Sequence, residues 1–279
     1  MSFVGRFVRL YSAKPAHPVG PDGRMALGDH LREARARVLR AGTLLIVGLA
    51  VALYFRMPLY DLISAPYYQA AERLPEGTTE ATTGGAAGGL MLYLKLCGFS
   101  SLVVTAPFWL YQVWAFILPG LHATERKWSR IFVAIAGPLF LIGVVLGYVT
   151  LPKGLEVLIG LNPPGVTNLV EFNEYLQFFT RTLLVFGLAF EIPVFVVMLN
   201  LAGVVSGKQL GAHRPWIVVG IFVFAAVATP SADPFTMTFM AVPMLFLYLI
   251  SEVIARWNDR RKAARSPNAG LSPEELSTI

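Results

Sequence analysis

The sequence predicts an all-α integral membrane protein that crosses a bilayer six times and keeps both ends on the cytoplasmic side. Three features lead there. Charge is scarce, apolar residues come in six long runs, and basic residues crowd onto one set of the segments between them. Of 279 residues, 55% are hydrophobic and 14% charged, with a mean hydropathy of +0.59. A soluble domain carries about 25% charged residues to cover its water-facing surface. A membrane solvent accounts for both the missing polar surface and the long apolar runs.

The runs are 38–54, 90–114, 131–150, 175–201, 216–229 and 235–254. A helix needs about 20 apolar residues to cross a hydrocarbon core of about 30 Å. The second, third and fourth runs reach that length and the first nearly does. The fifth is too short at roughly 21 Å, and Pro230 and Pro234 bound a tight turn after it, while Pro243 interrupts the sixth. The last two runs therefore read as a short final hairpin that thins the bilayer or sits off-centre. The transmembrane domain covers 27–256, preceded by a cytoplasmic extension at 1–26 and followed by a basic, disordered tail at 257–279. Met25 is an alternative start, and no cleavable signal pattern opens the chain.

Orientation follows from basic placement. Arg6 to Arg40, the loops holding Arg126, Lys127, Arg130, Lys208 and Arg214, and the tail from Arg256 to Arg265 together hold 18 of the 23 basic residues. The opposite segments, 55–89 and 151–174, hold only Arg56, Arg73 and Lys153. Residues 78–89 (TTEATTGGAAGG) read as a flexible low-complexity insert. No internal repeat supports an inverted-repeat transporter fold.

Catalytic and cofactor chemistry find no footing. His17, His30, His122 and His213 all lie between runs, so no span supplies a base for Ser100. There is no HExxH pair, phosphate loop or dinucleotide fingerprint, and the lone Cys97 excludes a cysteine metal site. The positive charge lacks the soluble basic face that nucleic acid requires. Glu191 stands apart. It lies deep in the fourth run, where a carboxylate costs about 2.5–3.5 kcal/mol and calls for a cavity, a polar partner or a proton. Pro193 frees a carbonyl one turn back and kinks the helix there. A protonated structural acid and a functional group both remain open for Glu191. Lys95 and Arg181, five or six residues inside their runs, read as snorkelling cations.

Residues 27–40 read as an amphipathic helix lying at the interface before the first crossing. Leu27, Leu31, Ala34 and Val38 share one face, and Asp29, Glu33, Arg37 and Arg40 another. On spacing alone, Glu33 and Arg37 are a solvated i,i+4 pair. Yet Glu33 and Glu125 are among only four acids on the basic side before the sixth run, and a carboxylate binds a guanidinium through two parallel hydrogen bonds.

Taken in order, several motifs resemble the TatC family, the polytopic receptor of the twin-arginine protein translocase. They are His30–Arg35, Ser64–Pro66, Ala106–Phe116 running into Pro119–Leu121, Glu125–Lys127, Phe172–Leu176, Phe186–Pro193, Arg214–Pro215 and Thr229–Pro234. The resemblance runs from about Asp22 to Asn258. It implies a compact, concave six-helix bundle in the bacterial cytoplasmic membrane. That bundle would export folded proteins bearing paired-arginine signal peptides, driven by the proton-motive force. It further implies that Glu33 and Glu125 engage the arginine pair, with Arg35 in the same surface. Phe116, Pro119 and Leu121 would serve structure or partner contact in the first cytoplasmic loop. Glu191 would contact the single-span partners TatA and TatB, and Pro66, Pro107, Pro193 and Asp233 would form structural turns. Self-association in the receptor complex is implied too, and neither cofactor nor metal is called for. Ala34 departs from the family's usual leucine. The rival expectation is a proton-coupled small-solute carrier using Glu191.

Overall fold

In a bilayer every backbone polar group must be satisfied within the chain, so apolar runs of this length become helices. The computed structural model describes residues 27–117, 126–163, 166–201, 203–228 and 234–264. In chain order the elements are α1 (Leu27–Tyr54), α2 (Arg56–Ala71), β1 (Thr79–Thr82), α3 (Gly88–Val104), α4 (Ala106–Ile117) and α5 (Arg126–Gly160). There follow β2 (Asn168–Glu171), α6 (Phe172–Phe190), α7 (Ile192–Leu201), α8 (Gly207–Ala212), α9 (Arg214–Ala228) and α10 (Pro234–Ala264). Four stretches are long and apolar enough to cross a membrane: 28–54, 134–160, 172–201 and 237–262. A fifth follows if α3 and α4, bent by 59° at Thr105, count as one span. Helix α9 is apolar but shorter than a full crossing.

The bundle is organised around α5 and α6, which touch through glycine. An ideal Cβ on Gly143 would lie 2.6 Å from the Phe186 carbonyl oxygen, and one on Gly187 would lie 2.6 Å from the Phe140 ring. Such small residues let membrane helices approach closely where no hydrophobic effect drives them together. On the other flank, the Ser101 hydroxyl donates to the Leu45 carbonyl at 2.8 Å, beside Gly48, and seats α1 on α3.

Helix α2 is held by tyrosines. Pro66 lies inside α2, not at a turn as the family resemblance implies. Without an N–H it leaves the Leu62 carbonyl unbonded one turn back. The Tyr148 hydroxyl on α5 donates to that carbonyl at 2.7 Å, and Tyr175 on α6 donates to Ile63 at 2.6 Å. The proline thus opens a docking acceptor for the neighbouring helix.

The segment expected to be a flexible insert is partly a strand. β1 pairs in parallel with β2, Thr79 opposite Asn168 and Thr82 opposite Glu171. Tyr67 and Thr79 share a hydrogen bond of 3.0 Å between their hydroxyls, and Thr167 donates to the Gly77 carbonyl at 2.8 Å. The β-branched threonines suit an extended backbone. Their partner lies nearly ninety residues away, beyond what composition can register. Among the described residues, this two-stranded sheet is the only regular structure besides helices.

Four further expectations change. Residues 27–40 do not lie apart at an interface, since α1 runs unbroken from Leu27 to Tyr54. Its faces are also reversed. Leu31 and Val38 are exposed at 62% and 69%, while Glu33 and Arg37 are buried. With lipid outside, apolar residues face outward and polar ones seek each other within.

The final hairpin is not short on both arms. Helix α10 has 31 residues and contains Pro243 without breaking. It also continues eight residues past the expected start of the disordered tail at 257. Buried Asn200 explains the extension: its amide donates to Asp259 at 2.7 Å and its oxygen accepts from Asn258 at 2.7 Å. Asp259 in turn accepts from the Gly207 amide at 2.6 Å. Nearby, buried Glu252 accepts two bonds from Arg214, at 2.6 and 2.7 Å, and one from Arg256 at 2.7 Å. These bonds tie α7, α8, α9 and α10 at one end.

The glycine contact yields a directional prediction. Gly143→Ala should cost about 1–3 kcal/mol through overpacking, despite a helix-propensity gain of up to about 1 kcal/mol. Gly154→Ala, whose Cβ meets nothing within 4 Å, should hold or raise stability. Thermal unfolding of the detergent-solubilised variants checks both. A Gly143→Ala midpoint at or above wild type would remove the tight α5–α6 contact from the account.

Candidate functional site

The first candidate centre lies near the start of α1. Glu33 is fully buried and its carboxylate pairs with the Arg37 guanidinium at 2.7 Å, one turn on. Arg37 is itself 3% exposed and also donates to Gln112 Oε1 on α4 at 3.2 Å. A turn nearer the helix start, His30 stacks on Phe116 with ring centroids 4.3 Å apart. The pair anticipated as solvated is therefore an interhelical junction. In low dielectric neither charge is tolerable alone, and each makes the other's burial affordable.

Of the other residues expected here, Arg35 is exposed on α1, away from the buried pair. Phe116 is half-buried against His30. Glu125, Pro119, Leu121 and Asp233 lie outside the described residues.

The second centre is Glu191, buried at the break between α6 and α7. The break has a local cause. Pro193 has no amide hydrogen to offer the Ala189 carbonyl, and the Glu191 amide turns back to Leu188 at 3.0 Å. Helix α7 restarts with the Phe195 amide bonded to the Glu191 carbonyl at 2.9 Å. The carboxylate Oε2 accepts from the Trp114 indole N–H at 3.3 Å, whereas Oε1 has no hydrogen-bond partner among the described residues. The Trp114 ring also lies 6.2 Å from that of Phe195.

Helix α4 connects the two centres. Gln112 and Phe116 are four residues apart and share a face toward α1. Trp114, between them, is turned about 200° from each and so meets Glu191. Pro107 sits just past the bend that aims α4, at its second residue. At that bend Thr105 accepts from the Phe108 and Trp109 amides, and the Trp109 indole donates to the Leu102 carbonyl at 2.9 Å.

Gln112, Trp114 and the burial of Arg37 escaped the sequence reading. All three sit in or next to motifs already singled out. The missing signal was the direction α4 takes after Thr105, which residue spacing does not encode. Ser100, weighed as a nucleophile, donates its hydroxyl to the Leu96 carbonyl of its own helix at 2.9 Å. Among the described residues, both centres hold charged and hydrogen-bonding groups.

The chain's likeness to known proteins is extensive. The profile of the family described as Sec-independent protein translocase protein (TatC) matches residues 29–243. A Sec-independent protein translocase protein TatC of Frankia casuarinae is 41% identical over 272 residues, covering 92% of this chain and 74% of the relative. The protein of that name in Escherichia coli K12 is 35% identical, covering 82% of this chain and 87% of its own length. Among solved structures, a crystal structure of the twin-arginine translocase receptor TatC in DDM superposes with a TM-score of 0.70. It shares 28% identity and covers 81% of this chain and 99% of that one.

The buried pair is testable by a double-mutant cycle. Arg37→Ala strands the Glu33 charge and should cost about 3–5 kcal/mol. Adding Glu33→Ala should restore at least about 1 kcal/mol of that loss. Unfolding midpoints of the four proteins measure the coupling, and strictly additive effects would show that the pair is not an energetic unit.

Proposed function

This chain belongs to the TatC family of Sec-independent protein translocase proteins, and we propose that it is the receptor that reads paired-arginine signal peptides. In this reading it crosses the bacterial cytoplasmic membrane six times with both ends inside, α9 making the fifth and shortest crossing. The basic ends of the chain and the basic loops then face the cytoplasm, where cargo arrives. Glu33 and Glu125 receive the two signal guanidiniums, with Arg35 lining the same surface. Phe116, Pro119 and Leu121 shape the loop beside them. Near Glu191 the single-span partners TatA and TatB assemble, and the proton-motive force drives folded cargo across. Receptor copies associate with one another in the working complex.

One observation carries the reading. Glu33 already holds a guanidinium, that of Arg37, in a buried site braced by Gln112. A signal arginine offers the same planar donor set, so it can exchange for Arg37 without leaving a buried carboxylate unpaired. Glu191 supports the partner role over the solute-carrier alternative. Among the described residues its hydrogen-bond partner is an indole, which cannot relay a proton onward as a titratable neighbour would.

The test is site-specific photocrosslinking in membranes between the chain and a paired-arginine signal peptide, with a paired-lysine signal as control. Glu33→Ala combined with Glu125→Ala should bring the arginine signal down to the lysine background. Wild-type crosslinking in that variant would overturn the recognition assignment. Glu191→Gln should retain the crosslink but lose export of a folded reporter or contact with the single-span partners. Loss of the crosslink there would instead place Glu191 in the primary binding site.

A further inference from the structure

Lys95 and Arg181 were expected to be unrelated cations, each snorkelling on its own. They line the same cleft. The cavity between α3 and α6, about 440 Å³, is bounded by Lys95, Gly98, Phe99 and Leu102 on one side and by Leu176, Gln177, Thr180 and Arg181 on the other. Both helices start at the end of the bundle that carries the β1–β2 sheet. Lys95 lies seven residues into α3 and Arg181 nine into α6, which puts both roughly 10–14 Å below those starts. Both side chains are exposed, and neither has an ion pair among the described residues.

We propose that this cleft binds the phosphate of an anionic phospholipid headgroup, with the acyl chains lying along the adjoining helix flanks. Two exposed cations with no ion-pair partner among the described residues line one cavity, where a single anion can pair with both. Snorkelling explains how one cation reaches water, but it does not explain why two face one cavity. Gln177 and Thr180 add uncharged hydrogen-bonding groups that suit phosphate and glycerol oxygens. Farther from the helix starts than Lys95, the cavity wall turns apolar at Phe99 and Leu102. Two turns past Arg181 on the same face of α6, Leu188 is 46% exposed. A charged head above an apolar flank is the shape of a lipid and not of a free anion. Gly98 keeps the cavity open, because a Cβ built there meets nothing within 4 Å.

Native mass spectrometry of the full, delipidated chain in detergent tests this, with phosphatidylglycerol and phosphatidylcholine as probes. Wild type should retain phosphatidylglycerol roughly tenfold better than phosphatidylcholine. Lys95→Ala with Arg181→Ala should erase that preference, and Arg73→Ala, removing another cation at the same end, should preserve it. Gly98→Leu, which fills the cleft and keeps both charges, should lower phosphatidylglycerol retention as well. This second variant guards against an unfolded double variant, as does comparison of unfolding midpoints. Competition by glycerol 3-phosphate at millimolar concentration would assign the cleft to free phosphate esters and overturn the lipid assignment. Equal phosphatidylglycerol retention by wild type and the double variant would overturn the site itself. So would the absence of lipid preference together with carbodiimide crosslinking of Lys95 to a partner's carboxylate, which would make the cleft a protein contact.

Discussion

The bend at Thr105 is the constraint on which the rest of the arrangement depends. Continued straight, the second apolar run would be a single crossing with its polar residues spread around a helix. Turned by 59°, the chain from Ala106 to Ile117 becomes a separate short helix lying between α1 and the α6–α7 break. Only in that position can Gln112 reach Arg37 while Trp114 reaches Glu191. The bend is built locally, from Pro107, which cannot donate to the Val103 carbonyl, and from the Trp109 indole, which donates to the Leu102 carbonyl beside it. In a membrane such a break needs internal hydrogen bonds, since lipid supplies none.

A second consequence of the membrane solvent is the reversal of α1. In water, the apolar stripe of an amphipathic helix faces the core and its charges face out. Here the stripe bearing Leu31 and Val38 faces out, and Glu33 with Arg37 faces α4. The same amino-acid pattern thus has opposite meanings in the two solvents. Spacing alone gave the helix faces correctly. Deciding which face is buried needed the environment as well.

That distinction marks what was legible in the sequence. The main apolar helices, the short fifth run and the break near Pro193 follow from residue order, because each depends on local hydrophobicity or a missing amide; α2, in a segment read as an outward loop, does not. The β1–β2 pairing does not, because Thr79 and Asn168 meet only once α2 and α6 have packed. Nor does the length of α10, whose last turns depend on Asn200 reaching Asp259 and Asn258 across the bundle. Pro66 is the instructive intermediate case. Its missing hydrogen bond was legible, but not that a tyrosine from α5 would take up the freed carbonyl. At the candidate site, Glu191 stood out by its depth in an apolar run and Glu33 by the scarcity of acids on the basic side. Their partners did not, since an arginine, a glutamine and a tryptophan in a motif look alike whether they face lipid or each other.

Three buried carboxylates show how a membrane protein separates structural acids from available ones. Glu252 accepts three short bonds, two from Arg214 on α9 and one from Arg256 on its own helix. Removing any one donor leaves others in place, so the group is committed to holding that end of the bundle together. Glu33 is bound to an arginine from its own helix, an arrangement that another guanidinium can reproduce atom for atom. Glu191 has one longer bond to a neutral indole and a second oxygen without a partner among the described residues. A buried polar atom left unsatisfied costs about 1–3 kcal/mol, and any group that brings a donor to it recovers that energy. The acid least well served by its own chain is therefore the one with most to gain from another, and it lies at a helix break where a neighbouring backbone is already open.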